Sequence, residues 1–147
     1  VWVALTSSGN PGNIGTILRT IDAVGGSGLI LLGPSADPWD PTSIRASTGA
    51  IFNSTLIRSN WLEFKNWASQ NNYHLIGATD EAKVNYRKIN YPNKTVLVMG
   101  SEQFGLDISQ KKDCSELVSI PMIGSVDSLN LSIACSVILY EIMGQNE

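Results

Sequence analysis

Short apolar runs alternate along this chain with segments of helical periodicity. Six runs are typical of buried strands: Trp2–Thr6, Gly28–Gly33, Ser54–Ser59, His74–Thr79, Thr95–Gly100 and Leu117–Met122. Continuous apolar strands are typical of parallel sheets that carry helices on their faces. The alternation therefore predicts an α/β domain with a mostly parallel sheet flanked by helices. A length of 147 residues favours a single domain over residues 1–147.

Capping signals and periodicity predict where helices begin and end. From Ile14 the apolar residues recur at i, i+3, i+4, i+7 and i+10, which is one face of a helix. That helix would start near Asn13 and end at Gly25–Gly26, where a left-handed residue suits a C-terminus. A second helix should follow Asn60, which forms a capping-box pattern with Glu63.

The last predicted helix, from about Ser128 to Met143, is apolar on nearly every face, and Glu141 is its only charge. A helix that is apolar all round must be buried all round. A domain of this size covers one side, so we expect a homodimer through the C-terminal helix. The alternative cover is another part of a longer protein. The chain opens at Val1 inside an apolar run, as expected of a catalytic piece whose upstream domain is absent.

Charge and composition narrow the possible partners. The formal net charge of −3 argues against a strongly basic nucleic-acid platform, although a few arginines or a separate domain can still bind RNA phosphates. No run of about 18 apolar residues is present, so we expect no membrane span. Cys114 and Cys135 lack zinc-ligand spacing, which predicts no metal site and two free thiols in a reducing cytoplasm.

The loop that follows the first strand, "NPGNIGTILRT", has glycines but fits neither common nucleotide-binding pattern. It lacks both G-x-G-x-x-G and Gly-Lys-Ser/Thr. It is consistent with an anion site at a helix N-terminus and equally with a plain turn capped by Asn13. Arg19 points away from the apolar stripe, either into solvent or towards a phosphate or carboxylate.

Polar loops also follow two later strands, "VLVMGSEQFGL" and "IPMIGSVDSLN". The first brings Gly100 and Glu102 to a strand end, and the second brings Ser128 and Asn130. Asn130 would lie inside an apolar helix, where it needs a hydrogen-bond partner. Ligands of open α/β sheets bind beyond the carboxyl ends of the strands, so these loops predict one shared site. His74, the only histidine, has no neighbour to orient it, which disfavours serine hydrolase chemistry.

Taken together and in order, the three loops resemble the three motifs of the SpoU/TrmH family of RNA methyltransferases, in the SPOUT class. The segment "IRASTGAIF" also resembles a family segment, and the similarity spans the whole chain. The resemblance implies S-adenosylmethionine as methyl donor and a ribose 2′-hydroxyl of tRNA or rRNA as acceptor. It also implies a C-terminal trefoil knot and a homodimer.

The same resemblance assigns roles to individual residues. Its catalytic positions fall on Arg19, Asn13, Glu102, Ser128 and Asn130, and Arg19 matches the family's catalytic arginine. Its cofactor positions fall on Gly100, Ile120, Met122 and Leu129, and Thr79 at the end of another strand is a further candidate. The alternative is a knotted module that binds RNA or a nucleotide without catalysis. A dinucleotide-dependent oxidoreductase is disfavoured by the absent glycine pattern.

Overall fold

The computed structural model describes residues Val1–Glu147. Its centre is a six-stranded sheet in which every pairing is parallel. The strands are β1 Trp2–Leu5, β2 Gly28–Leu31, β3 Thr55–Arg58, β4 His74–Ala78, β5 Thr95–Met99 and β6 Glu116–Val118. The helices are α1 Pro11–Ala23, α2 Pro41–Ser47, α3 Trp61–Gln70, α4 Ile108–Asp113 and α5 Leu131–Gln145, with short 3₁₀ turns at Ala50–Phe52 and Tyr86–Lys88. The predicted α/β class is confirmed.

The strand order, β3-β2-β1-β5-β4-β6, explains how distant loops meet. In the register of the sheet, Leu5 of β1 lies opposite Met99 of β5, and Met99 lies opposite Ala78 of β4. Ala78 in turn lies opposite Val118 of β6. Four strands therefore end at the same level, and the loops that leave them share one edge of the sheet.

Helices cover both faces of the sheet. On one face α1 and α5 pack on the strands in a core of 19 buried residues, including Ile17, Leu97 and Leu139. On the other face α3 packs in a smaller core of 9 residues, including Phe64 and Val98. The central strands β1, β2 and β5 are thus buried on both sides, as their sequence predicts. The edge strand β3 is mostly exposed, so its prediction as a buried strand is wrong.

The first helix begins earlier than expected. Asn10, not Asn13, caps α1: its side chain accepts hydrogen bonds from the backbone N–H groups of Gly12 and Asn13. The prediction of an Asn13 cap is therefore wrong, because the Asn10-Pro11 pair starts the helix where the proline ring suits the first turn. The end was predicted correctly, since Gly25 follows the helix with φ 71°.

Two elements near the C-terminus differ from the expectation. The α4 helix was not predicted, although its signal is present: Asp107 and Gln110 form a reciprocal capping box. The last helix begins at Leu131 rather than Ser128, because Asn130 caps it with a non-helical ψ of 145°. The trefoil knot remains a prediction. None of the helices is long and apolar enough to cross a membrane.

Candidate active site

An open cleft of about 490 Å³ lies at the carboxyl edge of β4, β5 and β6. Its floor is apolar and is formed by Met99, Val118, Leu131, Ala134 and Ile138. Its rim is polar and carries Asp80, Glu81, Glu102, Gln103, Lys111 and Ser128. An apolar floor with a few polar groups at the rim is typical of small-molecule and cofactor sites, and the volume lies in their usual range.

The cleft collects most of the residues that the sequence singled out. All five predicted cofactor-binding residues line it: Thr79, Gly100, Ile120, Met122 and Leu129. Of the predicted catalytic residues, Glu102, Ser128 and Asn130 line it as well. Asn13 is buried behind the cleft, and Arg19 lies outside its walls. The site is therefore assembled from residues that are up to 117 positions apart in the chain.

A chain of hydrogen bonds joins the three predicted motifs. The Asn13 side-chain amide donates to Glu102 Oε1 at 3.0 Å. The Asn130 amide donates to Asn13 Oδ1 at 3.2 Å. Asn13 is only 6% exposed, so both of its amide atoms have found partners, as burial requires. Helix α1, the turn after β5 and the start of α5 are thereby tied to one another.

Asn130 has a second function that the sequence did not reveal. It is not inside the last helix but at its N-cap, and its Oδ1 accepts from the backbone N–H groups of Ser132 and Ile133. The Ser132 hydroxyl donates to the same oxygen at 2.6 Å. With its oxygen committed to α5, the amide nitrogen is left to donate to Asn13. Capping thus fixes which way the Asn130 amide points.

The turn after β5 is held tightly against its own strand. Ser101 and Gly105 exchange two backbone hydrogen bonds, and a Cβ on Gly100 would come within 2.2 Å of the Gly105 carbonyl carbon. Gly100 is therefore required by the close approach of the turn itself. This requirement holds whether or not a ligand contacts Gly100.

The loop between β6 and α5 is different, because its backbone is unpaired. Residues 120–129 form no hydrogen bond with any other part of the protein. Ile120, Met122 and Leu129 belong to this segment and line the cleft, and their backbone N–H and C=O groups have no partner within the chain. Free backbone donors and acceptors beside an apolar floor suit a ligand that carries both a heterocycle and polar groups.

The other side of the rim carries an ion pair that sequence reasoning missed. Lys111 of α4 lies 2.6 Å from Glu81, in the loop after β4. The hydrogen bond from Lys111, reinforced by its charge, lowers the pKa of the Glu81 carboxyl. Sequence reasoning missed the pair because it did not predict α4, whose last turn contains Lys111.

Arg19 projects from α1 into solvent and forms no ion pair within the chain. The adjacent Thr20 contacts α5, with its Oγ1 2.8 Å from Ser136 Oγ. His74 lies at the start of β4, at the end of the strand remote from the cleft. The structure thus leaves Arg19 available to a ligand or another chain and keeps His74 away from the site.

Gly15, one of the glycines of the opening loop, is required for helix packing. A Cβ on Gly15 would lie 2.2 Å from the carbonyl oxygen of Ser43 in α2. Gly15 therefore allows α1 and α2 to pack closely, and Gly12 lies within the turn that Asn10 caps. The segment "IRASTGAIF" begins at the residue after Ser43 and contributes Ala46, whose Cβ would lie 2.8 Å from a Cβ on Gly15.

Comparisons with known proteins agree over the whole fold. A model of the SpoU rRNA Methylase family matches residues 1–140. A 23S rRNA (uridine(2479)-2'-O)-methyltransferase of Streptomyces viridochromogenes is 37% identical over 143 residues, which cover 92% of this chain and 50% of that protein. The chain spans about half the length of the curated relatives it matches.

Solved structures give the same result. The SpoU methyltransferase AviRb from Streptomyces viridochromogenes, in complex with the cofactor AdoMet (S-adenosylmethionine), superposes with a TM-score of 0.94 at 35% identity, covering 99% of this chain and 60% of that one. An AdoMet-bound rRNA methyltransferase from Sinorhizobium meliloti superposes with a TM-score of 0.91 at 38% identity, covering 96% and 54%.

Proposed function

The chain belongs to the SpoU rRNA methylase family, and we propose that it transfers a methyl group from S-adenosylmethionine to a ribose 2′-hydroxyl of tRNA or rRNA. The observation that carries the proposal is the single cleft into which eight of the ten predicted site residues converge. The similar structures from Streptomyces and Sinorhizobium, both with AdoMet bound, support this choice of cofactor.

The chemistry of the cleft suits this cofactor. S-adenosylmethionine, when bound, supplies a methyl group attached to a positively charged sulfur. The free backbone groups at Ile120, Met122 and Leu129 would hold the adenine, and the apolar floor around Ile138 would pack against it. Thr79 and Gly100 would complete the wall on the β4 and β5 side.

Arg19 would bind the substrate. Its guanidinium is effectively always protonated, so it serves as a phosphate ligand and not as a base. Arg19 would hold the RNA phosphate beside the target ribose and stabilise the negative charge that develops on the ribose oxygen. The ribose proton would pass to water or to that phosphate. Alignment of the two reacting atoms is then the main task of the protein.

The network around Asn13 would maintain that alignment. Glu102 accepts from Asn13, and Asn13 accepts from Asn130, so a shift in one loop displaces the others. Ser128 lies just before Asn130 on the cleft rim, where its hydroxyl is exposed to a bound substrate. We assign Glu102, Asn13 and Asn130 to positioning the loops and Ser128 to orienting the reacting groups.

A homodimer through α5 is part of the proposal. The outer face of that helix exposes Ile133 and Tyr140, each about half accessible. Thr20, the residue after Arg19, contacts Ser136 of α5, so Arg19 is carried by the helix that packs beside α5. In such a dimer Arg19 would serve the cleft of the partner, which explains why it lies outside the cleft of its own chain.

The proposed location is the cytoplasm, where tRNA and rRNA are found. Cys114 and Cys135 form no disulfide. Burial raises the pKa of both thiols to about 12, with Asp113 adding to the effect at Cys114, so both stay protonated. They are packing residues, as expected of a reducing compartment.

Calorimetry with S-adenosylmethionine tests the proposal directly. We expect saturable binding, and transfer of a labelled methyl group to the 2′-oxygen of bulk tRNA or rRNA. Nuclease digestion and mass spectrometry of the treated RNA would identify the nucleotide. Absence of cofactor binding would overturn the methyltransferase function. Binding of RNA without any transfer would instead favour the non-catalytic module.

A further inference from the structure

Phe104 is the most exposed aromatic residue of the chain at the cleft, and no role has been assigned to it. Its side chain is 82% accessible, yet the residue lines the cleft. A large apolar side chain left in water at the rim of a site is informative in a way that scattered surface residues are not. We propose that Phe104 is a stacking platform for a nucleobase of the RNA substrate, an inference that rests on the proposed function.

The backbone that carries this ring is held in place by hydrogen bonds. Phe104 lies in the turn that Ser101 and Gly105 close with two backbone hydrogen bonds, and its own N–H donates to the Ser101 hydroxyl at 3.0 Å. The turn cannot move away from β5 without breaking the tight contact at Gly100. Because the backbone of the turn is already ordered, a base that stacks on Phe104 has no loop to order, which favours binding.

Phe104 also lies close in sequence to a residue of the proposed active site. Glu102 lies two residues before Phe104 on the same turn, and it is fixed to α1 through Asn13. Phe104 and the network that orders the proposed active site are therefore attached to the same turn. A base stacked on Phe104 would lie next to the proposed active site.

Two other occupants fit less well. The adenine of the cofactor would need a ring that faces the buried floor, whereas most of the Phe104 surface lies in solvent. A second copy of the chain would cover the outer face of α5 at Ile133 and Tyr140, which do not line the cleft, whereas Phe104 does. The turn instead leads into Leu106, which is buried in the core on the α3 face. A nucleobase remains, since any base can stack on an aromatic side chain.

The test uses a short single-stranded oligouridylate that contains one 2-aminopurine ribonucleotide, whose fluorescence falls when it stacks. We expect the wild-type protein to quench it. The Phe104→Ala variant should bind the probe roughly tenfold more weakly, equivalent to about 1.4 kcal/mol, and lose most of the quenching. Phe104→Trp, which keeps an aromatic ring, should retain both the probe binding and the quenching of wild type. The matched control is Phe52→Ala, which removes an exposed ring, 69% accessible, outside the cleft.

Each result has a defined meaning when calorimetry with S-adenosylmethionine and sedimentation are run in parallel. Unchanged probe binding in Phe104→Ala, or an equal loss in Phe52→Ala, would overturn the assignment. Weakened cofactor binding in Phe104→Ala would assign the ring to the cofactor, and a change in oligomeric state would assign it to an interface. Either would also overturn it. A wild-type protein that does not bind the cofactor at all would instead overturn the proposed function.

Discussion

At the scale of single residues, the site depends on amides whose orientation is determined by their partners. Asn130 Oδ1 is committed to the start of α5, so its nitrogen donates to Asn13. Asn13 then has its own nitrogen free for Glu102. Exchanging oxygen and nitrogen at either amide would place two donors or two acceptors face to face. The direction of the hydrogen bonds therefore propagates from a helix cap to the carboxylate on the cleft rim.

A substitution at Arg19 should change methyl transfer without changing the stability of the fold. It is exposed and forms no ion pair, so Arg19→Lys should leave the free energy of unfolding within about 0.5 kcal/mol of wild type. The lysine keeps the charge but loses the planar fork that binds phosphate with two hydrogen bonds. We expect methyl transfer to fall at least roughly tenfold, with cofactor binding unchanged. Urea unfolding, calorimetry and single-turnover transfer measure the three quantities. Near wild-type transfer would rule out the bidentate role.

Sequence alone singled out these residues as candidates but did not predict their contacts. Arg19, Glu102 and Asn130 were found from motif positions, and helical periodicity correctly placed Arg19 off the apolar face. The partners were not predictable, because Asn13 and Asn130 are 117 residues apart and meet only through the sheet order. Phe104 was visible in the motif, but its exposure depends on how the turn folds.

At the scale of elements, two helical glycines differ in what surrounds them. A Cβ on Gly15 would meet the Ser43 carbonyl oxygen at 2.2 Å and the Ala46 Cβ at 2.8 Å, whereas at Gly144 of α5 nothing lies within 4 Å. Gly15→Ala should therefore destabilise the protein by about 1–3 kcal/mol, since α2 must move. Gly144→Ala should stabilise it by up to about 1 kcal/mol through helix propensity. Urea unfolding compares the pair, and equal effects would contradict the close packing of α1 on α2.

The ion pair between α4 and the loop after β4 predicts a pH dependence. Lys111 lowers the pKa of Glu81 in the folded protein, so the pair stabilises the fold above the ordinary carboxyl pKa. The stabilisation is lost as the pH falls through the lowered pKa. Lys111→Met should therefore lower the melting temperature slightly at neutral pH and match wild type in acid. Thermal unfolding from neutral to acidic pH tests this, and a constant difference would contradict it. Lys112→Met is the matched control, since Lys112 forms no ion pair.

Local patterns predicted elements well where periodicity was long and failed where it was short. Five strands and the helices α1 and α3 were found near their observed positions, because each has a continuous apolar run or a clear cap. The α4 helix has 6 residues and no buried one, so no apolar stripe marks it. The β6 strand is displaced because Ile120 and Met122, apolar like strand residues, line the cleft instead.

At the scale of the whole molecule, the strand order brings the loops of the site together, and no local sequence pattern specifies that order. Placing β1 beside β5 brings the loop that opens α1 next to the turn that carries Glu102. Placing β4 between β5 and β6 gives the cleft its second wall. Pairings between strands so distant in sequence depend on how the helices pack on both faces of the sheet. The knot implied by the family remains a prediction for the same reason, since threading is a property of the entire chain.

The proposed dimer is the last property at this scale. The outer face of α5 presents Ile133 and Tyr140 at 52% and 50% exposure, with the partly buried Val137 between them. Ile133→Glu would place a charge in the centre of the interface, where its desolvation costs several kcal/mol, while leaving the single chain folded. We expect wild type to sediment as a dimer and Ile133→Glu as a monomer with unchanged circular dichroism. Leu62→Glu, at a 62% exposed position on α3, should remain dimeric. An Ile133→Glu dimer would place the interface elsewhere. If Arg19 serves the partner's cleft, the Ile133→Glu monomer should also lose methyl transfer. Mixing Ile133→Glu with an Arg19→Ala variant should restore no methyl transfer, because Ile133→Glu does not form the interface.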